Sequence, residues 1–107
     1  GLTHISLDYN ITSPVKVKLL TVNNGMFEVW LNSLKNNVKS GLIPIEAFHR
    51  DQYDNNQLMP ANMREIASDI NGISIEVITS GLVSEFDLDE NWKISTVKLN
   101  DGRAINK

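Results

Sequence analysis

At 107 residues the chain has the length of one domain, enough for a core that needs no metal or disulfide staple. Its 41% hydrophobic and 21% charged residues are ordinary for a globular domain, and its net charge of −3 offers no general attraction to nucleic acid or anionic lipid. It contains no cysteine, which excludes disulfide scaffolds, thiol catalysis and cysteine-based zinc sites.

Residues 4–11 (HISLDYNI) alternate, with Ile5, Leu7, Tyr9 and Ile11 set against His4, Ser6, Asp8 and Asn10. That is the pattern of a half-buried strand. Thr12-Ser13-Pro14 breaks it, and residues 15–22 (VKVKLLTV) form a second strand, with Val15, Val17 and Leu19 opposed to Lys16 and Lys18. The doubled Leu19-Leu20 shifts the phase and suggests a bulge or burial on both faces. The two strands are expected to pair as an antiparallel ribbon.

The segment 23–44 (NNGMFEVWLNSLKNNVKSGLIP) reads as the central helix. Phe27, Trp30, Leu31, Leu34 and Val38 make one apolar stripe at helical spacing. Asn24 or Gly25 caps its start, Glu28 suits the positive end of the dipole, and Gly41 followed by Pro44 stops it. A rival reading makes Asn24-Gly25 a hairpin turn, with Phe27, Val29 and Leu31 alternating as a strand. The helical period accounts for five apolar positions and the strand for three, so the helix is preferred.

Residues 42–57 read as a short turn, or one and a half helical turns, from Pro44, followed by an exposed polar loop over 49–57, the segment best suited to a functional loop. Met59 to Asn71 is expected to be a second helix, with Pro60 in its first turn and Met63, Ile66, Ala67 and Ile70 facing the core. Ile73–Thr79 is a strand with Ile73, Ile75 and Val77 inward. Leu82–Asp89 and Trp92–Leu99 are further strands, followed by a turn at Asn100-Asp101-Gly102 and a short end. The expected fold is a single α+β domain over residues 1–107, about five antiparallel strands on two helices in the order ββααβββ, with a C-terminal meander.

No constellation for catalysis withstands inspection. His49-Arg50-Asp51-Gln52-Tyr53-Asp54-Asn55-Asn56 fits the H-R-D-x-x-x-x-N pattern of a kinase catalytic loop, but the glycine-rich loop, strand lysine and D-F-G ligand it requires are missing. Asp87, Asp89 and Asn91 stand at calcium-loop spacing, yet Trp92 occupies the glycine position and Lys98 that of the final glutamate. His4 and His49, the two histidines, are far apart in sequence. No cofactor and no metal is implied.

These residues favour a non-catalytic protein-binding, regulatory or assembly module, and homo-oligomer formation is compatible with that. The contact surface is expected at a sheet edge or around His49, Arg50, Asp51 and Tyr53 with Trp92, since Trp and Tyr dominate binding hot spots. A nucleic-acid-associated protein, with Lys16, Lys18, Lys35 and Lys39 on one face, is the alternative. A metal-dependent hydrolase or nuclease using Glu85, Asp87, Asp89 and Glu90 ranks third. No apolar run of about 18 residues and no basic-then-apolar leader is present, so a cytoplasmic protein outside the membrane is expected. The 13 Asn and 11 Ile point to an A/T-rich phage or bacterial genome, an inference about codons rather than function.

Overall fold

The structure, a computed structural model, describes residues 1–9, 13–31, 40–51, 62–88, 94–100 and 103–106. Nine strands are described: β1 (His4–Tyr9), β2 (Val15–Thr21), β3 (Met26–Leu31), β4 (Ser40–Pro44), β5 (His49–Arg50), β6 (Ile70–Val77), β7 (Leu82–Asp87), β8 (Ile94–Asn100) and β9 (Arg103–Asn106). They form two sheets, one in the order β4-β1-β8-β9 and the other β5-β3-β2-β6-β7. Helical structure among the described residues is confined to a 3-10 turn at Ile45–Ala47 and to α1 (Met63–Ile66), which tightens into a second 3-10 turn at Ala67–Asp69. The fold is therefore mostly β, and the α+β arrangement of strands on two helices is overturned.

The largest correction concerns the central helix. Asn24-Gly25 makes a hairpin: Gly25 takes φ 81, Thr21 Oγ1 donates to the Gly25 carbonyl at 2.7 Å, and Asn24 N donates back to Thr21 Oγ1 at 2.9 Å. Strand β3 then runs antiparallel to β2, pairing Leu19 with Phe27, Val17 with Val29 and Val15 with Leu31. The helical stripe counted Trp30 as a core residue. In the strand it points away from the core and is 44% exposed, while Phe27 is fully buried. Leu34 and Val38 lie outside the described residues.

The second expected helix is shortened by the sheet. Asn62 Oδ1 accepts from Arg64 N at 3.1 Å to cap its start, and Met63 and Ile66 are buried. Ile70 already belongs to β6, which runs straight through Asn71-Gly72. A Cβ at Gly72 would fit tightly there, 3.3 Å from both the Leu20 side chain and the Phe86 carbonyl oxygen. The register of β2 on β6 shifts between Leu20 and Thr21, beside the doubled leucine.

The expected β1–β2 ribbon is also corrected. β1 pairs antiparallel with β4 and parallel with β8, whereas β2 is the middle strand of the other sheet. The C-terminal meander divides in the same way: β6 and β7 form a hairpin in the five-stranded sheet, β8 and β9 a hairpin in the four-stranded one. Both sheets turn apolar side chains into one core. Ile5, Leu7 and Ile43 come from the four-stranded sheet, and Val15, Val17, Leu19, Phe27, Ile73, Ile75 and Val77 from the five-stranded sheet. No helix among the described residues is long and apolar enough to cross a membrane.

Candidate functional site

Because side chains alternate along a strand, burying Val15, Val17 and Leu19 sends Lys16, Lys18 and Leu20 to the outer face of the five-stranded sheet. Cross-strand register arranges their neighbours into rows. One row reads Trp30, Lys16, Glu76, Val83 across β3, β2, β6 and β7. The next reads His49, Glu28, Lys18, Ser74, Glu85, from β5 to β7. A third holds Met26, Leu20, Gly72 and Asp87, with Asp51 joined to Met26 by an N–H to carbonyl bond of 2.9 Å. Cross-strand neighbours of this kind are close enough to interact directly.

Opposite charges alternate along these rows. Lys16 Nζ lies 3.4 Å from Glu76 Oε1 and 5.3 Å from the centre of the Trp30 ring, a cation–π distance. The Trp30 indole N–H donates to Glu28 Oε2 at 2.9 Å. Lys18 Nζ reaches Asp51 Oδ2 at 2.7 Å. Trp30 is therefore held on its face by Lys16 and at its nitrogen by Glu28, yet leaves a large apolar area open. Beside it Lys16, Lys18, Leu20, Met26, Ser74, Glu76, Val83 and Glu85 line a shallow hollow of about 220 Å³.

The residues singled out in 49–51 separate into three environments. His49 is exposed on the outer face opposite Glu28. Arg50 turns the other way, its guanidinium 5.0 Å from the Phe27 ring centre and its Nη1 donating to the Asn24 carbonyl at 2.9 Å. Asp51 is fully buried. Tyr53 and Trp92 lie outside the described residues, as do Lys35 and Lys39. Of the acidic stretch, Glu85 and Asp87 are exposed on β7, and Asp89 and Glu90 fall outside the described residues. Among the described residues no three His, Asp or Glu side chains are grouped to hold a metal ion. Trp30, Glu76 and Val83 were not singled out from the sequence as surface residues. The signal for Trp30 was the Asn24-Gly25 turn, which converts the helical stripe into a strand with Trp30 outward.

Two smaller polar clusters brace the fold. Asp69 accepts from Asn23 N at 2.8 Å, Asn24 Nδ2 at 2.6 Å and Asn23 Nδ2 at 3.3 Å, which ties the β2–β3 turn to the segment before β6. The Asn23 backbone N–H, with help from the two Asn side chains, holds the Asp69 carboxyl below the usual aspartate range. Elsewhere Arg64 Nε donates to Glu46 Oε1 at 2.9 Å and lowers the Glu46 carboxyl in the same way. That pair borders a hollow of about 480 Å³ lined also by Leu2, His4, Ile45 and Ala67.

No protein-family model matches the chain, and neither a curated protein nor a solved structure is significantly similar to it.

Proposed function

We propose that the chain is a non-catalytic protein-binding module, of regulatory or assembly type, whose contact surface is the outer face of the five-stranded sheet. The observation that carries this reading is Trp30, a large aromatic left 44% exposed but fixed by Lys16 and Glu28. A pre-positioned tryptophan loses little side-chain freedom on binding, and residues of this type dominate protein–protein hot spots. Val83, 55% exposed at the far end of the same row, gives a second apolar contact, with the Lys16–Glu76 pair between the two and Glu85 beside Val83 on β7. A partner that sets apolar groups on either side of a mixed-charge centre complements this surface. A polyanion does not, because Lys16 and Lys18 are each engaged by a carboxylate.

Affinity capture from a lysate, with nuclease added, tests the reading when three baits are compared. The native chain and a Leu42→Ala variant should retain the same stoichiometric protein, and Trp30→Ala should lose it. Retention that ignores Trp30, or that disappears with nuclease, refutes the proposal.

A further inference from the structure

Lys18 and Asp51 meet on the sheet's outer face, with Glu28 opposite Lys18 in the register, in an arrangement more demanding than a surface ion pair. The Asp51 side chain is 1% exposed and that of Lys18 20%, with Nζ 2.7 Å from Oδ2. Glu28 is 2% exposed and stands directly across from Lys18 in the β2–β3 register. Asp51 is docked on the far side of β3 by its bond to the Met26 carbonyl, diagonal to Glu28. The amine of Lys18 and the carboxyl of Asp51 are thus brought together largely out of water, with the buried Glu28 facing Lys18 in the register and holding the Trp30 indole N–H through Oε2. An exposed lysine–aspartate pair stays ionised because water solvates both charges. The neutral amine and acid differ from the ion pair only by one proton moved between the two groups.

We infer that Lys18 and Asp51 are placed to join spontaneously in an intramolecular amide, with Glu28 relaying the proton. Transfer of a proton from the Lys18 ammonium to Asp51 leaves an amine and a carboxylic acid. The Nζ lone pair adds to Asp51 Cγ, and Glu28 takes a proton from the nitrogen and hands it to the departing hydroxyl. One C–N bond forms, one C–O bond breaks, and one water leaves. Nothing is oxidised or reduced, and no activating group is consumed. Holding the reacting groups in contact replaces the activation that amide formation otherwise needs, and exclusion of water disfavours the reverse hydrolysis. The product ties the middle strand β2 to β5 across β3. In a chain without cysteine it supplies a covalent staple of the kind that disulfides provide, restricting the unfolded chain.

The test is the intact mass of the folded protein, measured in denaturant after incubation at neutral pH, followed by protease mapping. The expected mass is that of the sequence less one water, with a fragment in which the Lys18 and Asp51 peptides are joined and cleavage after Lys18 is blocked. Glu28→Gln, its fold checked by thermal melting, should keep the full mass and melt at a lower temperature than the cross-linked protein. Folded native chain of full mass with separate Lys18 and Asp51 peptides overturns the inference. So does a loss of water that maps elsewhere, as at Asp101-Gly102. A Glu28→Gln variant that cross-links at the native rate overturns the role of Glu28.

Discussion

On the outer face of the four-stranded sheet, one row across β4, β1 and β8 reads Leu42, Ser6, Thr96. The equivalent rows of the five-stranded sheet carry Trp30, Lys16, Glu76 and Val83, or Glu28, Lys18, Ser74 and Glu85. Both sheets solve the same folding problem, since each turns branched and aromatic side chains into one core. Ser6 and Thr96 are what an outer face can use when it has only to be wet. Glu28 and Asp51 are nearly or fully buried on a face that the core does not require them to occupy, which costs desolvation free energy. The difference teaches that the five-stranded sheet holds more organised chemistry on its outside than the fold demands.

The inner side of that sheet is where the largest loss of stability is expected. Phe27→Ala removes a fully buried ring from beneath Arg50 and should lower unfolding free energy by about 4 kcal/mol, read from the urea midpoint. On the outer side, Lys18→Met leaves Asp51 buried with neither its amine partner nor the amide proposed between them, and should lower stability by about 3 kcal/mol or more. The double variant Lys18→Met with Asp51→Leu should recover the part of that loss that comes from a buried unpartnered carboxyl, and not the part that comes from the missing covalent tie. Full recovery would mean that no covalent tie joins the two residues in the native chain. Trp30→Ala should lower stability by only about 1 kcal/mol, the contribution of one hydrogen bond, while abolishing partner capture. A large loss of stability instead would make Trp30 a structural residue.

The smallest effect should appear only in acid. The Asp69 carboxyl is held below the ordinary range in the folded state, so its contribution is present above that range. It is lost as the pH falls from about 4 through the folded value. Asp69→Asn should therefore melt with less pH dependence below about pH 4 than the native chain, and the two curves should run parallel at neutral pH.

Several strands were legible from alternation alone, because β1, β2 and β6 each bury one face. The β3 strand was not. Its Trp30 faces outward, so the sequence supports a helical stripe as well as an alternating strand, and only the Asn24-Gly25 turn distinguishes them. The length of the second helix was overstated for a related reason: Met63, Ile66 and Ile70 keep helical spacing although Ile70 begins a strand. The parallel pairing of β1 with β8 joins the two ends of the chain and leaves no local signature. The outer-face rows were illegible in part for the same cause, since the β2–β6 register that joins them links strands distant in sequence. Lys16 and Lys18 could be placed on one face, but their carboxylate partners could not.

A photoreactive phenylalanine analogue placed in turn at positions 83 and 42 tests the central claim most directly. Val83 and Leu42 are comparably exposed, at 55% and 60%, one on each sheet. Irradiation in a nuclease-treated lysate should give a discrete protein adduct from position 83 and none from position 42. An adduct from position 42 alone, or none from either, would contradict the assignment of the five-stranded sheet as the recognition surface.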